Sequence, residues 1–503
     1  MATNSIERRK ALQAKVGVFG VGFWKYWDQF EGLLDELHEK QKTLRGKLEK
    51  LNVQVHDFGM VDDAESAYAV VPKLKAADLD LIFCDMLTYA TSATFGTIIR
   101  NMDIPIVMVA LQPRKALDYS KASTHMQLAN DDFCSVPEFA GVAVRMGKRV
   151  PQVIIGTLED DPEADAEIAR FCSMAHVLHD LKNARIGHFG HPIESMLDMH
   201  TDPTMFTAAF GCHIVQTEAE DILQHYYEVK EEEVTEQKQA ILDFFDTPTP
   251  VSDPITRKLT EEDLHTAARV SIALEKFVEE RHLDGLAYYY DALEGSDLRT
   301  VVSNLIVGNS LLTSAGFPMC GESDLKTCIA MLIMDRLDIG GSFAEFHPID
   351  FNEGFVLVGH DGPHHINIAD SKPSLRSLVK YHGKPGSGAS VEFKIKEQFI
   401  RIAPQDRAAL GQAVATRLIE GQGFVLATLN LDHLVKLPRD PAFLAAYARH
   451  DMIVADGNPI VWLSWLAGRP VGLVPGSDMV MPLARIAAEC GAPLALLGST
   501  PPV

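Results

Sequence analysis

Glu322, Glu345 and His360 lie in three short motifs, GESD, SFAEFHP and GHDGPHH. Each sits beside a glycine-bearing loop or strand end, where a fold can bring side chains together. Two carboxylates and an imidazole are a donor set suited to a hard-to-borderline divalent cation such as Mn2+. A carboxylate can also carry a proton between adjacent carbons of a substrate. The structural alternative is that acidic loop residues cap helices and turns. His347, His364 and His365 are near enough in sequence to assist, or to be ordinary surface histidines. A second group lies farther on. Gly476, Ser477 and Asp478 form a glycine turn ahead of an expected helix, and free N–H groups at a helix start suit a diphosphate. Asp456 precedes Gly457, a pair that also makes tight turns without any chemistry.

The elements that must position these residues alternate between strand and helix. KVGVFGVG, Lys15 to Gly22, reads as a buried strand ending in a glycine turn, followed by an amphipathic helix from about Trp24 to Leu51. Further strands are expected at Val53 to Phe58, Asp78 to Asp85, Pro105 to Leu111 and Gln152 to Gly156, with helices between them such as Ala64 to Ala76. Such alternation predicts a parallel sheet covered on both faces. Gly20 and Gly22 alone make a poor dinucleotide fingerprint, because the third glycine and the acidic residue after the second strand are missing. A second α/β unit begins near Asn183 with ARIGHFGHP and includes helices at Glu228 to Phe245, Leu259 to Arg281 and 324 to 336, a loop at Thr247 to Pro254, and a buried strand from Leu283. From Gly341 to Lys396 the polarity alternates as in antiparallel strands. After that, α/β alternation resumes: helices at Ala403 to Glu420, Pro441 to Arg449 and Met479 to Cys490, and strands at Gly423 to Leu429, Met452 to Ala455 and Leu494 to Gly498.

Composition narrows the classes. The 503 residues are too many for one core, and a hydrophobic fraction of 47% suits a folded protein. A net charge of −23 repels phosphate backbones, which argues against nucleic-acid binding. The 7 cysteines are irregularly spaced with no CxxC pair, so free thiols in a reducing compartment are expected. No signal peptide and no transmembrane run is read, and a cytoplasmic location is expected.

The order and approximate spacing of Gly321-Glu322-x-Asp324-x-Lys326-Thr327, Ser342-Phe343-x-Glu345 and Gly359-His360 resemble the metal-site sequence of L-arabinose isomerases. ARIGHFGHPIESMLDMHTD resembles the opening of that family's central domain, and KVGVFG and PIVMVALQP fit its first domain. The resemblance, to the wider L-arabinose/L-fucose isomerase type and its divergent branch, spans roughly residues 15 to 396. It implies that Glu322, Glu345 and His360 are metal ligands, that the two glutamates serve as acid and base, and that the activity is a metal-dependent aldose–ketose isomerisation through a cis-enediol. The family supplies a further metal histidine late in its C-terminal domain, and no counterpart is found here.

From about Ile400 the chain resembles the WecG/TagA/CpsF glycosyltransferases. VLATLNLDHL, RDPAFLAAYARHDMIVADGNPIVW and PGSDMV carry the likeness, with LALLGS at Leu494 to Ser499 after them. The resemblance implies that Asp456 is a catalytic base, that Thr428 and Asn430 belong to the active-site TxN segment, and that Gly476, Ser477 and Asp478 face a nucleotide sugar. Because the sequence stops just after LLGSTPPV, this module is expected to be incomplete, and the isomerase to be impaired for lack of its own C-terminal segment.

The fold expected is therefore α/β, with two Rossmann-like parallel-sheet domains, a short antiparallel β region and a partial glycosyltransferase-like unit. The divisions expected are 1–182, 183–325, 326–396 and 397–503. The β region at 341–396 is expected to leave an apolar face exposed. A sugar isomerase is the leading function. A transferase moving an N-acetylhexosamine from a UDP-sugar to a lipid-linked acceptor is the alternative, and a non-catalytic sugar-binding protein is the third. A small-molecule sugar, a divalent metal and a second copy of the chain are the expected partners.

Overall fold

Strands β1 (Lys15–Val21), β2 (Gln54–Val61), β3 (Leu81–Asp85), β4 (Ile106–Gln112) and β5 (Gln152–Thr157) form one parallel sheet in the order β2-β1-β3-β4-β5. Their side chains alternate between two apolar layers. Val16, Val18, Leu81, Phe83, Val107 and Val109 pack on one face, and Ile82, Cys84, Met108 and Ala110 on the other. Each fully buried side chain of this kind contributes roughly 1.5–3 kcal/mol. A computed structural model provides these coordinates and describes residues 6–248, 256–350, 355–360, 362–378, 380–381, 384–385, 388–394, 406–437, 440–466 and 469–492. The strand expected at Leu494 to Gly498 and most of the loop at Thr247 to Pro254 lie outside them.

The single helix expected from Trp24 to Leu51 is divided. A short 3-10 turn covers Trp24–Tyr26, and the α-helix runs Leu33–Leu48. Gly32 stands at the break with φ +81°, a conformation that glycine adopts at no steric cost. Trp27 is held there by a hydrogen bond from its Nε1 to Asp62, 2.7 Å, and the rings of Phe23, Tyr26 and Phe30 pack edge to face.

Five further strands follow: β6 (Arg185–Phe189), β7 (His213–Thr217), β8 (Thr256–Arg257), β9 (Gly285–Tyr288) and β10 (Met319–Cys320). All except β8 join a second parallel sheet, ordered β10-β9-β6-β7. Helix Glu261–Glu280 covers it with a buried stripe that includes Leu264, Ala267, Leu274, Phe277 and Val278. A reciprocal cap starts that helix: the Thr260 hydroxyl accepts from the Asp263 N–H at 3.1 Å, and Asp263 accepts from the Thr260 N–H at 2.9 Å.

The region after Gly341 is antiparallel, as its alternation predicts. Strands β11 (Glu345–Asp350) and β12 (Phe355–Gly359) form a hairpin. Strands β13 (Ser374–Leu378), β14 (Lys380–Tyr381), β15 (Lys384–Pro385) and β16 (Ala389–Glu392) follow. β13 pairs with both β16 and β8, and β14 pairs with β15. In the β11–β12 hairpin Phe346, Leu357 and Val358 are each more than half exposed.

The last strands, β17 (Leu426–Leu429) and β18 (Met452–Ala455), are parallel neighbours. Met452 and Val454 face a layer built with Leu410, Val414, Val474 and Met479. Ile453 and Ala455 face another, built with Leu429, Leu437, Tyr447 and Ile460. The final described helix is Gly476–Glu489, so Gly476, Ser477 and Asp478 form its first turn rather than a turn before it.

Two compact units divide the chain. The first comprises residues 1–342, 363–367 and 372–392, and the second 343–362, 368–371 and 393–503.

Candidate functional site

Parallel α/β sheets place ligands beyond the carboxyl ends of their strands. In the second sheet those ends are Phe189, Thr217, Tyr288 and Cys320, and Glu322 follows directly. Glu322 and Ser323 are consecutive non-glycine residues in the left-handed region, at φ 60° and 55°. Such backbone costs about 1–3 kcal/mol per residue and persists only where its surroundings enforce it. Here the Ser323 N–H donates to the Tyr288 carbonyl at 2.9 Å, and its hydroxyl donates to the Phe189 carbonyl at 3.3 Å. Asp324 then caps helix Leu325–Arg336, accepting from the Lys326 N–H at 2.9 Å and the Thr327 hydroxyl at 2.6 Å. Strand β9 ends in Tyr288 and runs on into Tyr289 and Tyr290, with the His191 ring tilted against Tyr289 at 4.8 Å between ring centroids. Burial, followed by the Glu322 charge, pushes the Tyr290 hydroxyl up from its ordinary value. The strained half-buried glutamate therefore stands among tyrosines at the carboxyl edge of the sheet. Sequence reasoning missed those aromatic neighbours, although the run YYY at the end of a predicted buried strand was a signal.

Glu345 and His360 belong to the second unit. Glu345 pairs directly with Gly359 across the hairpin, so His360 is one residue from its partner. A Cβ on Gly359 would meet the His347 ring at 3.9 Å, which puts His347 on the Glu345 side of the hairpin. The His360 ring lies against Phe343, 4.6 Å between centroids. The three expected metal ligands are thus divided between the units, with two gathered at one end of a hairpin. Among the described residues, no group of three or more His, Cys, Asp or Glu side chains is arranged to hold a metal ion.

The C-terminal residues come together within a single unit. Thr428 and Asn430 stand at the end of β17, and Asp456 at the end of β18. The Asp456 N–H donates to the Leu429 carbonyl at 2.8 Å, joining the two strand ends. Asn430 caps helix Leu431–Lys436 by accepting from the His433 N–H at 2.9 Å. Gly476 packs on Thr428, and a Cβ there would approach the threonine Cγ2 to 3.1 Å. Asp478 is turned aside into an ion pair with Arg407, and Ser477 is exposed beside it. Thr428, Asn430, Asp456 and Gly476 therefore share one edge, while Asp478 is occupied elsewhere. Sequence reasoning missed Tyr447, buried beneath this edge. Burial and the Asp456 charge push its hydroxyl up to about 12.

A fourth cluster was not legible in the sequence. Lys40 is buried at the carboxyl side of the first sheet. Its Nζ lies 2.7 Å from Asp132 Oδ1 and donates to the carbonyls of Leu87 at 2.7 Å and Ala129 at 3.2 Å. Asp85, the last residue of β3, is also buried, and its Oδ2 has no hydrogen-bond partner among the described residues. Burial pushes Asp85 up to about 8 and Asp132 up to about 7, against the pull of the Lys40 ammonium. Two carboxylates around one ammonium thus retain a proton near neutrality. A cavity of about 490 Å3 lies over Lys40, lined also by Glu36, Glu39, Arg114 and Asn130.

With these geometries in hand, the similarities to known proteins fall into two parts. Residues 187–340 match the L-arabinose isomerase central domain, and residues 399–503 match the glycosyl transferase WecG/TagA/CpsF family. L-arabinose isomerase from Tolumonas auensis is 22% identical over 364 residues, covering 70% of this chain and 68% of that protein. The enzyme of the same name from Shewanella sp. strain ANA-3 is 20% identical over 303 residues, 59% of this chain and 58% of its own length. That from Serratia proteamaculans is 23% identical over 239 residues, 46% of this chain and 45% of its own length. The chain therefore spans between under half and about two thirds of these relatives. It is similar to sugar isomerases before residue 340 and to glycosyltransferases after 399. Among the described residues no helix is long and apolar enough to cross a membrane.

Proposed function

We propose that the first unit serves aldose–ketose isomerisation of a small sugar. The observation that carries this reading is the strained Glu322–Ser323 pair, held among tyrosines at the carboxyl edge of the second sheet. Strained backbone of this kind clusters where a site needs a residue held in place. In the proposed reaction, a glutamate carboxylate takes a proton from the carbon next to the sugar carbonyl and returns it to the carbonyl carbon through a cis-enediol, while the hydroxyl proton of the first carbon passes to the carbonyl oxygen. Glu322 is proposed as that carboxylate. The tyrosine rings at 288–290 offer faces and hydroxyls that fit a polyol.

The donor chemistry fits a hard divalent ion such as Mn2+. Glu345 and His360, gathered at one end of the hairpin, are donor types that such an ion takes. A bound ion would polarise the carbonyl and the neighbouring hydroxyl. The test is an aldose-to-ketose assay over pentoses and 6-deoxyhexoses, before and after chelation. Activity that survives exhaustive chelation would remove the metal from the reading, and no turnover with any sugar in the presence of Mn2+ would remove the isomerase.

A second reading is favoured by a specific observation: Thr428, Asn430, Asp456 and Gly476 gather at the ends of two paired strands. Here Asp456 is proposed to take the proton of an acceptor hydroxyl. The N–H groups of Gly476 and Ser477, which open helix Gly476–Glu489, are proposed to receive the diphosphate of a nucleotide sugar. Calorimetry with UDP-N-acetylglucosamine tests it, and no heat of binding at millimolar ligand would overturn it.

A further inference from the structure

Beneath the C-terminal edge lies a polar trio, the Thr428 carbonyl with two side chains that neither reading uses. Tyr447, on helix Pro441–Ala448, is 5% exposed. Its hydroxyl oxygen is 2.6 Å from the Thr428 carbonyl oxygen and 2.6 Å from His433 Nδ1. His433 Nδ1 is itself 2.9 Å from the same carbonyl. A carbonyl oxygen can only accept. If Tyr447 donated to a bare Nδ1, the nitrogen and carbonyl lone pairs would face each other at that 2.9 Å contact. Proton accounting therefore leaves one fully bonded arrangement. Tyr447 O–H donates to the carbonyl, and His433 Nδ1–H is shared between the carbonyl and the phenol oxygen. The Phe443 ring, 5.0 Å from Tyr447 and 5.7 Å from His433, backs the trio with apolar surface.

We propose that Tyr447 and His433 are positioning residues for a nucleoside-diphosphate-sugar site, clamping the Thr428 carbonyl so that Thr428 and Asn430 hold their places beside Asp456 and Gly476. The proposal rests on the transferase reading. The clamped carbonyl belongs to Thr428, whose methyl group packs on the Gly476 helix start. The ring that clamps it sits one turn into the helix that Asn430 caps. A shift of the Thr428 peptide would therefore move the acceptor-facing and diphosphate-facing sides of the edge together. Tyr447 can donate throughout the physiological range, because burial and Asp456 hold its proton in place.

The test uses the full chain and UDP-N-acetylglucosamine as probe. Calorimetry is run on wild type, Tyr447→Phe, His433→Asn and His433→Gln, with thermal melting of each. The asparagine amide stands where Nδ1 stands and can keep the clamp, whereas the glutamine amide stands where Nε2 stands and cannot. Tyr447→Phe and His433→Gln should each weaken binding about tenfold, equivalent to about 1.4 kcal/mol, and His433→Asn less than threefold. Long-range nitrogen–proton NMR of the wild-type histidines should show neutral His433 protonated at Nδ1. A wild type that does not bind the probe overturns the transferase reading and this proposal with it. A wild type that binds, with Tyr447→Phe binding equally well or His433 protonated at Nε2, overturns the clamp alone. Lower melting temperatures with unchanged affinity would make the trio merely structural and also overturn it.

Discussion

Replacing Asp85 with asparagine should stabilise the first unit above neutral pH. Asp85 and Asp132 are both buried with Lys40, and only one ammonium serves the two carboxylates. A carboxyl whose folded pKa lies above its unfolded value destabilises the fold progressively as pH rises between the two. For Asp85 that window runs from 3.8 to about 8. Below it both states hold the proton and there is no penalty. Above it the full penalty applies, with a ceiling of roughly 6 kcal/mol at about 1.4 kcal/mol per pH unit. Asp85→Asn removes the excess charge and leaves Lys40 and Asp132 as a one-to-one pair. Replacing surplus buried charge of this kind gains about 1–4 kcal/mol, which is several degrees in melting temperature for a domain of this size. The reverse change, Lys40→Met, strands two buried carboxylates and should cost about 3–5 kcal/mol at pH 8 and less at pH 5. Calorimetric melting of wild type and both variants from pH 5 to 8.5 is the assay. Wild type should lose stability across the range, and Asp85→Asn should show a flatter profile and the higher melting temperature at pH 8.5. An Asp85→Asn profile parallel to wild type, or one lower by several degrees at pH 8.5, would refute the shared-proton reasoning.

Three other outcomes are expected. Glu322→Gly should relieve the left-handed strain and raise stability by up to about 1 kcal/mol while abolishing sugar isomerisation, and an active glycine variant would remove Glu322 from the chemistry. Chelation should stop isomerisation, and Mn2+ should restore it in the steady-state assay. Gly476→Ala puts a methyl group 3.1 Å from Thr428 Cγ2 and should weaken UDP-N-acetylglucosamine binding severalfold, with melting changed by no more than a few degrees.

Much of the architecture follows from local pattern. Continuous apolar runs such as VGVF, LIFC and IVMVAL predict strands buried on both faces, and they are the strands of the first sheet. The change to alternating polarity after Gly341 predicts antiparallel pairing, which β11 with β12 and β13 with β16 show. Periodicity of 2 or 3.6 residues is a property of the chain itself, so it can be read without knowing what each element packs against. The positions of Thr428, Asn430, Asp456 and Gly476 at element ends were readable for the same reason.

What only the tertiary structure decided depends on which distant segments meet. Nothing in sequence separates Lys40, Asp85 and Asp132 from the many solvated charges of an acidic protein. The sheet order and its covering helix bury all three together, and burial alone turns ordinary aspartates into proton-holding ones. Asp478 looked like its neighbour Gly476 in the same motif, yet Arg407, far away along the chain, takes it out of the site. Tyr447 carries no motif of its own on its short helix, and only the folded structure sets its hydroxyl on the Thr428 carbonyl. Periodicity determines which face of an element is buried. Which charge or hydroxyl waits on the other side is set by contacts across long sequence separations, and those carry no local signature.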